Sequence, residues 1–306
     1  MTIQQMILAA AGDSSAGLYA FSQVTFTPGG KTGATGPDIS QVRSGMSGDV
    51  NMSTWNTNTS YLNVYNGQIQ WTVPITATYE FDAYGAGMWT FRQGGYGARM
   101  KGRVSLTQGD VIRILVGQQG QSGGSAAGGT FVVRSPYNST SNIIVCAGGG
   151  GGGHSNGNQS NSHANTGTSG QAGSASQHSG GPSGGAGYSG YGGQGSDASG
   201  GGGFLGNGSN GGYSHAQGGF AYVNGGYGGN YNNSDYRKGG FGGGGVSGSS
   251  HGAGGGGYSG GGGTGLYPWH GGGGGSYMGS GVSSVTQSMQ AEADDGHVTI
   301  SLYSIP

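Results

Sequence analysis

Cysteine, charge, proline and long apolar runs are all scarce in this chain, and each scarcity removes a class of protein. Cys146 is the single cysteine among 306 residues, so no internal disulfide can staple the fold. Charged residues make up 7% and the net charge is −1, which leaves no basic footprint for nucleic acid or an anionic membrane. Arg237 is the only arginine between Cys146 and Gly281, excluding an Arg-Gly-Gly type RNA-binding tract. Collagen is excluded because the strict Gly-X-Y register is missing and only Pro182 and Pro268 occur in the glycine-rich part. No segment approaches the length of a membrane span.

Catalytic and cofactor chemistry is equally thin. The seven histidines, His154, His163, His178, His215, His251, His270 and His297, are scattered without metal-ligand spacing to another His, Cys or carboxylate. Glu80 and Asp82 stand two apart on an alternating segment, hence on one face, with no nucleophile or base to complete a site. Gly148 to Gly153 lack the Lys-Ser/Thr and the βαβ surroundings of a phosphate-cradling loop. The sequence therefore predicts a protein that is not an enzyme and takes no cofactor and no metal.

Glycine is what the chain has instead. From Cys146 to Gly281, 57 of 136 residues are glycine, including Gly148 to Gly153, Gly200 to Gly203, Gly242 to Gly245, Gly254 to Gly257, Gly260 to Gly263 and Gly271 to Gly275. Glycine has nothing to bury and loses the most backbone entropy on ordering, so neither an ordinary helix nor a sheet core can come from it. An ordered outcome exists nonetheless. Extended helices with three residues per turn make no internal hydrogen bonds, and bundled side by side they can pair their outward N–H and C=O groups where no Cβ intervenes. Few charges and frequent aromatics distinguish the tract from a solvated coil, the other reading of such a composition.

The rest of the chain alternates as strands do. Ser22–Thr27, Gln68–Val73, Tyr79–Tyr84, Arg103–Leu106, Val111–Val116 and His297–Tyr303 read as strands by alternation, Thr130–Arg134 and Asn142–Val145 read as two more strands, and Gly, Asn and Pro turns stand between them. No helical periodicity of useful length appears. The pattern predicts an all-β sandwich or jelly roll with almost no α-helix, into which a glycine-helix bundle is inserted. The expected organisation is an N-terminal attachment peptide and linker at 1–17, a β-sandwich from 18–146 plus 282–306, and the bundle at 147–281. Because a lone terminal strand is unstable, His297–Tyr303 should pair back into the sheets.

Two resemblances attach to particular residues. Trp71-Thr72-Val73-Pro74, then Gly109-Asp110-Val111-Ile112-Arg113-Ile114-Leu115-Val116-Gly117-Gln118-Gln119-Gly120, then Gly128-Gly129-Thr130-Phe131-Val132-Val133 and Ile143-Ile144-Val145, with the closing Gly296-His297-Val298-Thr299-Ile300, resemble the glycine-rich extracellular module of the anaplastic lymphoma kinase and leukocyte tyrosine kinase receptors. That likeness implies a tumour-necrosis-factor-like sandwich with inserted polyglycine-II helices and a role in protein binding, although the family's paired cysteines are missing here. Met1-Thr2-Ile3-Gln4-Gln5-Met6 resembles the start of structural proteins of marine tailed phages, cyanophages especially. The glycine tract is similar in style to the tip adhesins of T-even-type phages. These likenesses imply a virion fibre or tail-tip adhesin. Its expected partners are further copies of the chain as a trimer, other fibre or tail proteins, and a host surface glycan or protein.

Residues outside the glycine runs should gather where the bundle's loops emerge. Tyr, Trp, Ser and Asn are the usual substance of binding loops, since aromatics give large contact area at low entropic cost. The expected receptor-binding residues are Tyr231, Asn232, Asn233, Tyr236, Arg237, Tyr267, Trp269 and His270, with Phe204, Phe220 and Phe241 packing on the bundle's flank. Ile3, Met6, Ile7 and Leu8 are the expected docking residues on the particle. An extracellular filament or surface-matrix subunit, with the bundle purely structural, is the alternative reading.

Overall fold

The computed structural model describes residues 17–88, 94–121, 124–153, 160–174, 198–212, 215–232, 237–248, 251–265, 269–289 and 294–306. Its elements in chain order are β1 (Gln23–Phe26), α1 (Ile39–Gly45), α2 (Met52–Trp55), β2 (Leu62–Tyr65), β3 (Gln68–Thr72), β4 (Ala77–Tyr84), β5 (Ala98–Leu106), β6 (Val111–Leu115), β7 (Thr130–Arg134), β8 (Ile143–Ala147), β9 (Tyr277–Met278), β10 (Ser283–Met289) and β11 (His297–Ser304). They form two antiparallel sheets, β1-β11-β4-β5-β10 and β2-β3-β6-β7-β8-β9.

Period-two alternation dictates the first sheet. In β4 and β11 every second residue is buried, so Tyr79, Phe81, Ala83, Val298, Ile300 and Leu302 point inward. They meet Trp71, Ile112, Ile114, Val132 and Val145 of the second sheet in one core. The outward residues of β4 and β5 are charged and pair across strands, Asp82 with Arg99 at 2.7 Å and Glu80 with Lys101 and Arg103 at 2.7 and 2.8 Å. On an exposed face such pairs contribute only about 0–1 kcal/mol each, so the inward side chains fix the register. The terminal strand β11 lies between β1 and β4, with Ile300 opposite both Val24 and Phe81.

Two short helices and three strands have no counterpart in the alternating pattern. Helix α1 begins with a capping box: the Asp38 carboxylate accepts from the Gln41 amide, and the Asp38 amide donates to the Gln41 side chain, both at 2.9 Å. The β2–β3 hairpin closes on Asn66-Gly67, where φ is 50° and 77°. A two-residue turn with both φ values positive matches the twist of the flanking strands, and Asn-Gly suits it best.

Around β7 and β8 the second sheet is covered on both faces, which is why residues 130–133 and 143–147 are buried in succession instead of alternating. Leu115, Phe131, Val133, Ile143 and Cys146 turn away from the first core and meet Phe204, Tyr222, Phe241 and Tyr258 of the insertion. A bulge in β8 helps this division: Val132 opposes Val145 while Val133 opposes Ile143, leaving Ile144 as the extra residue. Phe204 and Tyr222 stack at 4.9 Å, and Tyr222 reaches Phe131 at 5.1 Å. Burial pushes the Cys146 thiol up, so it stays protonated among these rings.

The insertion leaves β8 and returns as β9, and these two strands pair, Cys146 opposite Tyr277. Between them, glycine segments outside any strand bond laterally through their backbones with a period of three. Gly149 and Gly152 donate to Gly256 and Ala253, Gly254 and Gly257 to Ser199 and Gly202, and Gly272 and Gly275 to Gly262 and Ser259, at 2.8–3.2 Å. Intervening residues turn to other neighbours, as Gly150 does to Ala86 and Gly273 to Asn161. Segments run both parallel and antiparallel to one another. The array also takes in residues upstream of Cys146, since Ala126 and Gly129 donate to Gly245 and Gly242.

The same period of three appears in what a side chain would meet. A Cβ on Gly148 or Gly151 would run into the carbonyl of Gly274 or Gly271, one on Gly149 or Gly152 into that of Gly128 or Gly124, and one on Gly150 into that of Gly95. Each segment thus has backbone on three sides. At Gly255 an added methyl would collide with the Gly149 carbonyl, whereas at Gly281 it meets nothing within 4 Å. Gly255→Ala is therefore expected to destabilise the protein by at least about 1–3 kcal/mol, the usual range for overpacking. Gly281→Ala should stay within about 0.5 kcal/mol of the parent. Thermal unfolding of the two variants beside the parent decides it, and equal midpoints would remove the close-packed array.

Candidate recognition surface

Two of the glycine segments can be followed outward from the sheets. Gly148 to Gly153 starts at β8, and Gly153 bridges to His270, from which Gly271 to Gly275 returns to β9. Beyond β6 the chain reaches Gln121, whose amide donates to the Lys238 carbonyl at 2.8 Å. Asn230 and Lys238 form an isolated bridge there, and Tyr231 donates to Arg237 at 3.2 Å. Of the residues expected to contact a receptor, Tyr231, Asn232 and Arg237 therefore come together on this side of the array, while Trp269 precedes the His270–Gly153 bridge.

Their surroundings are polar and strained. The Arg237 guanidinium stands 5.3 Å from the Tyr231 ring centroid, a cation–π arrangement that stiffens both side chains. Trp269 meets His251 edge-on at 6.1 Å. His215, Asn232 and Trp269 all have positive φ, at 87°, 45° and 60°. Such backbone is uncommon outside glycine, costs of order 1–3 kcal/mol per residue, and tends to cluster where a protein binds something. A cavity of about 380 Å³ is lined by Asn210, His215, Gln217, Asn230 and Asn232. A second, about 460 Å³, shares Asn230 and adds Lys31, Thr32, Gln121 and Lys238.

Lys31, Thr32 and Gln121 carried no signal in the sequence. They are held here by the Gln121 side chain donating to Thr32 Oγ1 at 3.1 Å, by its backbone joining residue 238, and by Phe241 and Gly228 donating to the Gly33 and Ala34 carbonyls. Asn233, Tyr236 and Tyr267, and the docking residues Ile3, Met6, Ile7 and Leu8, lie outside the described residues. Comparison with protein-family models and with curated proteins finds no match.

His270 differs from its neighbours on the surface. It is 1% exposed, because its backbone is drawn into the array: its amide donates to Ser174 Oγ at 2.9 Å and its carbonyl accepts from Ser174. A side chain so placed cannot touch a macromolecule, and its role is internal packing. Phe204 and Phe241 are fully buried on the second sheet, while Phe220 is half-buried beside Tyr227. Glu80 and Asp82 belong to the ion-pair row on the opposite side of the sandwich. Partial burial pushes the Glu80 carboxyl up, but hydrogen bonds from Lys101 and Arg103 outweigh it and hold it below its ordinary value. No group of three His, Cys, Asp or Glu side chains is placed to hold a metal ion among the described residues. No helix among them is long and apolar enough to cross a membrane.

Both ring nitrogens of His270 are buried without a hydrogen-bond partner, and burial lowers its pKa. A histidine whose folded pKa is depressed binds fewer protons than the unfolded chain below about pH 6.5, so its contribution is lost as pH falls through that region. His163 and His297 are shifted the same way by burial, while burial raises Asp295 to about 6 and opposes them. His270→Leu removes one of these groups cleanly. Its thermal midpoint is expected to match or exceed the parent's at pH 7.5, with the advantage widening toward pH 5. A gap that narrows on acidification would show that His270 is not held neutral.

Proposed function

We propose that this chain is a virion structural protein of a tailed phage, a fibre or tail-tip adhesin. In this reading the two sheets form a jelly-roll, tumour-necrosis-factor-like base and the laterally bonded segments are polyglycine-II helices. The observation that carries it is the period of three in both hydrogen-bond partners and occluded Cβ directions. Three residues per turn without internal hydrogen bonds is the geometry of that helix. A raft of this kind is stiff, and it confines side chains larger than a methyl to its flanks and ends. Such a support suits an adhesin, which must hold a contact surface away from its base.

Tyr231, Asn232, Asn233, Tyr236, Arg237, Tyr267 and Trp269 are the proposed receptor contacts, with His215, Asn230 and Lys31 added from the two cavities. Ile3, Met6, Ile7 and Leu8 dock the protein to other fibre or tail proteins. Strand β10 supports a homo-oligomer, a trimer in this reading. It is an edge strand exposed along all seven residues and carries no Lys, Asp, Glu, Arg or Pro to deter pairing.

Mass spectrometry of purified particles tests the assignment, the expected result being this protein alongside capsid and tail proteins. Recovery only in filaments free of them would overturn it in favour of a surface-matrix subunit. On virions, Tyr231→Ala combined with Arg237→Glu is expected to slow host adsorption at least about tenfold, as loss of a pair of interface anchors does, without changing assembly.

A further inference from the structure

A third cavity, sharing no lining residue with the other two, lies where the insertion seats on the outer face of the second sheet. It has a volume of about 420 Å³. Four separate pieces of chain build it: the β2–β3 turn with Tyr65 and Asn66, Arg113 of β6, the β7–β8 connection with Tyr137 and Asn138, and the turn of the insertion carrying Tyr222. The Gln68 side chain donates to the Gly225 carbonyl at 3.4 Å and ties hairpin to insertion across the cavity floor. No carboxylate lines it.

Two donors in this cavity are unsatisfied. The Nε of Arg113 and the hydroxyl of Tyr222 are both buried and without a hydrogen-bond partner, although Tyr222 itself is only 2% exposed. Buried polar groups are nearly always paired, so two covered orphan donors on residues that line one cavity point to an acceptor that reaches them as the lining parts around it. Arg113 forms no ion pair among the described residues. Its guanidinium lies 3.8 Å from the centroid of the Tyr137 ring, and that ring is held in place by the Tyr137 hydroxyl donating to the Val111 carbonyl at 3.0 Å. Arg113 is thereby oriented by stacking, with its fork free of any acidic partner.

We propose that this cavity binds a carboxylate-bearing sugar unit. The planar carboxylate matches the guanidinium fork bidentately, and the Tyr222 hydroxyl supplies a further donor. Tyr137 and the 60%-exposed Tyr65 offer ring faces to the C–H face of a pyranose. The amides of Asn66 and Asn138 can both donate to and accept from its hydroxyls. A small inorganic anion would use the cation but leave the aromatic and amide lining idle. The site is independent of the adhesin reading, since it involves none of the residues at the far end of the glycine array.

Saturation-transfer NMR on the full chain, with glucuronate, galacturonate and N-acetylneuraminate against glucose, galactose, acetate and inorganic phosphate, tests it. At least one acidic sugar is expected to bind, and at least about tenfold more tightly than its neutral counterpart or either simple anion. Arg113→Gln should abolish that preference while leaving any residual neutral-sugar signal unchanged. Tyr222→Phe removes a hydroxyl that has no partner in the protein, so it should weaken acidic-sugar binding severalfold while the thermal midpoint stays level or rises. Binding of no acidic sugar in the panel overturns the proposal. So does equal binding of neutral sugars, or acetate or phosphate binding as tightly as the sugar acids.

Discussion

Lateral hydrogen bonding between backbones that carry no Cβ is the constraint from which the rest of this molecule follows. A carbonyl of one segment occupies the space where a side chain of the next would be, so glycine is required at the position that carbonyl faces, while larger residues such as Gln171 and Phe241 join the bonding where their side chains have room. Because successive residues address different neighbours, a single segment is tied on three sides. A β-strand can address only two. The array grows as a block, and the segments may run in either direction because nothing but the backbone is being matched.

Such an array cannot hold itself. Ordering a residue's backbone costs about 1–2 kcal/mol, most for glycine, while a hydrogen bond returns a net of about 0.5–1.5 kcal/mol. Apolar burial has to supply the difference, and it is concentrated at one place, where Phe204, Tyr222, Phe241 and Tyr258 close over Leu115, Phe131, Val133, Ile143 and Cys146. Burying such side chains is worth about 1.5–3 kcal/mol each. The second sheet is thus both a wall of the sandwich core and the floor of the insertion. Pairing of β8 with β9 closes the insertion at its base, since the two ends of a long insertion meet in adjacent strands.

This division explains where polar chemistry can reside. Inside the array most directions are taken by backbone, and apart from buried side chains such as His270 and Gln118 the larger polar groups named here lie around Tyr231, Asn232 and Arg237 or at the seam between insertion and sheet, around Arg113 and Tyr222. The outer face of the first sheet has its own charges, but Asp82 and Glu80 are neutralised by Arg99, Lys101 and Arg103 in cross-strand register. At the seam, by contrast, Arg113 has a tyrosine ring and no acid beside it.

Period-two runs in the sequence were enough to locate β1, β3, β4, β6, β11 and part of β5, because one face of each strand is buried and inside–outside alternation is a local property, while short apolar runs marked β7 and β8. The Asn66-Gly67 turn and the Asp38–Gln41 capping box are local signals as well, but a search for periodic apolar runs passes over them, and β2 and α1 emerged only in the structure. Glycine density alone marked which stretch would pack without side chains. Partnership was not readable. That Gly149 faces Gly256, that Ala126 and Gly129 join the array, that His270 turns inward, or that Lys31, Gln121 and Lys238 share a cavity depends on how identical glycine segments are ordered side by side. A residue without a side chain carries no mark of its neighbour, so only the folded arrangement decides it.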